Sequence, residues 1–150
     1  MSEHQFIFSP GIWLGQGLIT FSYSEEKISY YTKWIVEHGD DGLIRTQQHV
    51  QKQGEKETLL NFLVFAPTVP PHFTVELKNE ELECVQGKGM QDDKQILWTY
   101  YTNIASPQIE TFEGFESYVL ESNGEYTAHA EYSSLEGYTT IVDGKIWRKV

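Results

Sequence analysis

Cysteine is all but absent: Cys84 stands alone in 150 residues. A single thiol excludes an intramolecular disulfide and any multi-thiolate metal site within one chain. Basic residues are few as well, 11 Lys and Arg against 22 Asp and Glu, giving a net charge of −11. Nucleic acid is bound by clustered cations that displace counterions, so no nucleic-acid partner is expected. No apolar run approaches the roughly 20 residues of a bilayer span. Met1-Ser2-Glu3-His4-Gln5 lacks the basic start and long apolar stretch of a secretion signal. Asn-x-Ser/Thr is missing too, and the cytoplasm is the expected compartment.

Helical periodicity and catalytic motifs are equally scarce. The one segment that invites a helix, Glu25 to Val36, is so rich in aromatic and β-branched residues from Ile28 to Val36 that a strand fits better. There is no Gly-x-Ser-x-Gly elbow, no P-loop and no His-x-x-x-His pair. Cys84 reads as a small buried hydrophobe. His4, His38 and His72 fall in terminal or turn segments, where a solvated ring is expected.

What the chain does have is aromatic side chains, 4 Trp, 9 Tyr and 8 Phe, and these favour pleated, half-buried surfaces. At 150 residues it fits a single domain, residues 1–150, able to bury roughly two-thirds of its unfolded surface. Turn signals divide it into about ten strands. The first five are Ile12 to Ser22, Lys27 to Glu37, Leu43 to Lys52, Thr58 to Ala66 and Phe73 to Leu77. The next four are Glu81 to Gln86, Gln95 to Thr102, Ile109 to Glu121 and Glu125 to Ser133. Gly87-Lys88-Gly89 through Asp93 reads as a loop. Asn123-Gly124 predicts a tight primed turn with positive φ at both central positions. Gly137 to Val142 and Lys145 to Val150 form either a closing hairpin or one long strand with a bulge.

Short turns between successive strands make a meander, which exposes two edges unless it closes on itself. The expected fold is therefore all-β, a closed antiparallel up-and-down barrel with little or no helix. Trp13, Gly15 and Gly17 share a face with Ile19 and Phe21, and glycines there mean either a hollow interior or a sharp corner in a filled one.

Pro10-Gly11-Ile12-Trp13-Leu14-Gly15-Gln16-Gly17 resembles the Gly-x-Trp start of the first strand in calycins, the superfamily of lipocalins and fatty-acid-binding proteins. The Trp-x-Gly-x-Gly extension looks closest to the nitrobindin-like and bacterial lipocalin-like branches. The resemblance implies that Trp13 plugs one barrel end against a basic side chain of the last strand, a part Arg148 is placed to play. Two features depart from it. Only Tyr23 to Glu26 lie where fatty-acid-binding proteins insert a helical lid. Gly137 to Val150 contains no His where nitrobindin-like proteins supply the haem ligand, and His129 is the nearest substitute. No cofactor or metal is expected, and haem is disfavoured.

The functional expectation is a monomer or homodimer that binds a small, mostly apolar molecule inside the barrel. Candidate contacts are Tyr30, Trp34, Gln47, His49, Trp98, Tyr100, Tyr118 and His129. His49 shares a polar face with Arg45, Gln47 and Gln51, and His129 one with Thr127 and Glu131; such a face is either the solvent side or a set of ligand contacts. Phe112, Gly114, Tyr118 and Leu120 share a face of the eighth strand, which Glu110, Glu113 and Glu116 punctuate; Glu113, opposite in parity to the other two, would be an acid or base if it pointed inward. The alternatives are a barrel enzyme using His49, His129 or Glu113, and an interaction protein with a filled barrel.

Overall fold

The computed structural model describes residues 4–80, 84–101, 113–133 and 137–150. Ten antiparallel strands follow one another: β1 (Gly11–Phe21), β2 (Ser24–His38), β3 (Ile44–Lys52), β4 (Leu59–Pro67), β5 (His72–Lys78), β6 (Val85–Gln91), β7 (Gln95–Tyr101), β8 (Glu113–Leu120), β9 (Tyr126–Ser133) and β10 (Thr139–Arg148). Each pairs with its sequence neighbour, and β10 returns to pair with β1 in a closed barrel. Among the described residues no helix is long and apolar enough to cross a membrane.

Alternation explains the walls. In β2, Tyr30, Thr32, Trp34 and Val36 are buried, while Tyr31 between them is exposed. In β9 the buried set is Tyr126, Ala128 and Ala130. Period-2 burial of this kind is what a barrel with one packed and one wet face requires.

Several boundaries moved. Gly87-Lys88-Gly89 is strand, not loop: a Cβ on Gly89 would run into the Phe73 ring and one on Gly87 into Val75, so these glycines give room to neighbouring side chains. The expected sixth strand began at Glu81, and 81–83 lie outside the described residues, as do 109–112 at the start of the expected eighth. The chain end is one unbroken strand, paired from Thr139 to Ile146 with β9. At Asn123-Gly124 only Gly124 takes positive φ (86°), within a loop closed by Gly124 N–H to Glu121 O (3.1 Å) and Glu121 N–H to Glu125 O (2.8 Å). That is a longer turn than the two-residue primed form.

One end of the barrel is stoppered by the N-terminal segment. Phe6 and Ile7 are fully buried. The Phe6 ring meets Trp13 at 5.4 Å, Trp34 at 5.2 Å, Tyr118 at 4.9 Å and Tyr126 at 5.7 Å. Ile7 holds φ at 56°, a strained conformation for a β-branched residue that tight packing enforces. The polar groups around this stopper are matched. His4 is buried, contrary to the solvated ring expected of it; its Nε2–H donates to Asp92 O (2.6 Å) and its Nδ1 accepts from the Tyr126 hydroxyl (2.8 Å). His38 Nε2–H donates to Ile7 O (3.2 Å). Arg148 stands opposite Trp13 in the β1–β10 pairing, and its guanidinium donates to Gln5 Oε1 (2.6 Å) and Pro10 O (3.3 Å). The basic residue thus fastens the stopper that covers Trp13. Phe6→Ala should cost about 3–5 kcal/mol, the usual range for a fully buried aromatic, read as a lowered midpoint in urea unfolding.

Candidate functional site

Above the stopper the interior is hollow, with a cavity of about 420 Å³. That lies within the roughly 300–1,000 Å³ range of small-molecule sites. Its outer reach is marked by Phe21, Lys52, Glu55, Asn79 and Thr140, all at the barrel end away from Phe6. Ile19, Ile28, Val50, Leu59, Leu63 and Val142 make much of the lining apolar. The volume opens beside Ala128 and Ala130, whose methyl groups leave room. It does not open over the glycines of β1. A Cβ on Gly15 would meet Ile146 Cγ2 at 2.6 Å and Thr32 Cγ2 at 2.8 Å, and one on Gly17 would strike the Asp143 carbonyl and Gly144 Cα. Gly15 and Gly17 therefore make a close corner between strands rather than hollow space.

The cavity has two polar walls. Across β2 to β5 a ladder of side chains runs inside the sheet. Gln48 Nε2–H donates to Thr32 Oγ1 (3.3 Å), Asn61 Nδ2–H to Gln48 Oε1 (3.0 Å), and Asn79 Nδ2–H to Asn61 Oδ1 (3.0 Å). Across β7 to β9 a second group surrounds Glu116, which is 6% exposed. Tyr100 O–H donates to Glu116 Oε2 (2.5 Å) and Tyr118 O–H to Glu116 Oε1 (2.7 Å), with Tyr132 a third hydroxyl partner. Trp98 Nε1–H donates to the Tyr100 oxygen (2.8 Å) and its ring stacks on Tyr118 at 5.1 Å. Among the described residues every buried side-chain N or O has a partner.

Burial dominates the electrostatics. It pushes Glu116 above its ordinary 4.5, against the hydrogen bonds from Tyr100, Tyr118, Tyr132 and Trp98, which pull down. The same burial, with the Glu116 charge beside them, holds Tyr100, Tyr118 and Tyr132 well above 10. Tyr30 is pushed up to about 12 by burial and then by the charges of Glu116 and Asp143. All four tyrosines are thus neutral hydroxyls that hydrogen-bond without ionising.

The expected contacts divide by strand face. Tyr30, Trp34, Tyr100 and Tyr118 line the cavity, and Trp98 sits behind Tyr100 and Tyr118 as their support. Gln47 and His49 do not belong: β3 turns Thr46, Gln48 and Val50 inward, so Gln47 is exposed and His49 lies in an outer groove with Leu14, Lys33 and Trp147. His129 borders the cavity between Ala128 and Ala130, but its ring is engaged by carboxylates, with Nδ1 at 2.5 Å from Asp143 Oδ1 and Nε2 at 3.0 Å from Glu131 Oε2, and these raise its pKa. Both ring nitrogens of the one histidine offered as a haem ligand are thus taken up. Glu113 is exposed, so no interior acid–base pair of His49, His129 and Glu113 forms.

Sequence reasoning missed Glu116 and Gln48. Glu116 sits two residues before Tyr118, so a charged residue interrupting a face otherwise made of Gly114, Tyr118 and Leu120 was the available signal. Because burial raises its pKa, the folded protein keeps the Glu116 proton to higher pH than the unfolded chain does. Stability should then fall as pH rises from about 4 through the raised value. Glu116→Gln cannot ionise, so its melting temperature should gain on that of the parent over this interval, as thermal melts at a series of pH values would read.

No family model matches the chain. No curated protein matches it either. Solved structures do, among them two whose superpositions span nearly the whole chain. The S-type phycobiliprotein lyase CPES from Guillardia theta superposes with a TM-score of 0.70 at 11% identity, covering 100% of this chain and 94% of its own. Rv2717c from M. tuberculosis superposes with a TM-score of 0.68 at 12% identity, covering 97% of each chain. At such identities the likeness is one of fold. With β1 closed on β10, the ten-strand antiparallel meander fits the calycin resemblance in fold, and the chain shares that fold with these two proteins.

Proposed function

We propose that this barrel binds a small, largely apolar molecule, holding one hydrogen-bonding end of it against the wall of Glu116 and its tyrosines. The observation that carries this reading is the cavity of about 420 Å³ with an aliphatic lining and two ordered polar walls. Core packing normally leaves few voids larger than a water molecule, so a hollow of this size is space the fold keeps. Polar groups inside it are held in fixed geometry by one another, which lets them orient a ligand without paying to reorganise.

The enzyme alternative has lost the three residues that motivated it. The filled-barrel alternative disagrees with the hollow interior.

The test is entry of a neutral fluorescent probe, N-phenylnaphthylamine, whose emission rises in an apolar site. Ala130 is 6% exposed, faces the cavity and stands opposite Glu116 in the sheet. Ala130→Phe should place a ring in the hollow and weaken probe binding by at least about tenfold, roughly 1.4 kcal/mol, while the unfolding transition stays cooperative. Probe binding of equal strength in parent and variant would place the ligand elsewhere.

A further inference from the structure

The Glu116 carboxyl is an unusual thing to build into a ligand cavity. It is deep, it lines the hollow, and it accepts from three hydroxyls, Tyr100, Tyr118 and Tyr132. All its protein donors, these hydroxyls and the Trp98 indole N–H, are neutral, so they occupy the carboxyl's lone pairs without balancing its charge. The titratable groups packed around it are Tyr30 from β2, Tyr100 from β7, Tyr118 from β8 and Tyr132 from β9. None of these carries positive charge. The only lysine or arginine lining the cavity, among the described residues, is Lys52 near the mouth, at the end of β3.

Buried charges in proteins are normally paired with an opposite charge. Here the pairing group would have to arrive from outside. The net charge of −11 points the same way, because it draws cations toward the molecule and disfavours anions. Neutral donors hold the two carboxyl oxygens in place, and an ammonium entering from the cavity side would supply the positive charge that the protein's own groups do not.

From this we infer that the ligand is an amine on an apolar frame, whose ammonium group donates to Glu116 at the inner end of the cavity while its hydrocarbon part fills the aliphatic half. This deepens the ligand-binding reading and rests on it. A charged donor on a charged acceptor is worth about 1.5–3 kcal/mol in comparable settings, or about tenfold to a hundredfold in affinity.

The experiment is competition for the neutral probe by three molecules that share one chain: octylamine, octanol and octanoate. Octylamine should displace the probe at a concentration at least about tenfold below octanol, with octanoate weakest. Glu116→Gln should remove the preference and leave octanol unchanged. Ala130→Phe should weaken all three together, which keeps the test decisive if Glu116→Gln does not fold. Octanol equal to octylamine, or octanoate strongest, overturns the amine inference while leaving the container reading intact. An amine preference that survives both substitutions is attraction to the acidic surface, and it overturns the inference too. Failure of the probe itself to enter would sink the container reading and the amine with it.

Discussion

Where the last strand meets the first, Gly17 faces Gly144 with no side chain between them, and the backbones come close enough that a Cβ on either would overlap the other strand. The pairing that passes through this point runs from Trp13 opposite Arg148 to Phe21 opposite Thr140. It removes the two sheet edges that a ten-strand meander would otherwise expose. It also keeps water from the wall that carries Ile146, Val142 and, across the sheet, Ala128 and Ala130. The low-dielectric interior in which Glu116 and its tyrosines interact exists only while that seam is shut.

Burying a carboxyl costs free energy unless its oxygens are satisfied. The chain meets that demand with side chains from three adjacent strands, β7, β8 and β9, so the cluster is also a lateral brace across the sheet. The amide ladder does the same across β2 to β5. Each wall fixes its own strands in register as well as lining the hollow, because a slip of one residue would turn these groups outward.

The architecture was legible because it depends on features local in sequence: turn residues at regular intervals, alternation within strands, and Trp13 and Arg148 at the two ends that pair. Tyr30, Trp34, Tyr100 and Tyr118 were legible for the same reason, since large aromatics on an alternating strand take the buried face. The third strand misled because its inward face mixes Ile44 and Val50 with Thr46 and Gln48, while Gln47 and His49 on the other face could also have been ligand contacts. The partners on β2 and β4 decide between the two faces. Glu116 was hidden by the rule that charged residues face water, which fails where hydroxyls from other strands converge. His4 was hidden because its partners, Tyr126 and Asp92, lie 122 and 88 residues away.

The stopper formed by Phe6 and Ile7 makes the barrel a blind tube. A molecule bound there as proposed would find no exit past Phe6, and its deepest group would be the last to leave. Two occupants cannot pass each other in a hollow of about 420 Å³, so exchange of one for another is a matter of vacancy first and replacement second. For such a molecule, residence time would be set at the inner end and selection by size at the rim. Those two properties can be altered separately, because the residues that govern them sit at opposite ends of the same strands.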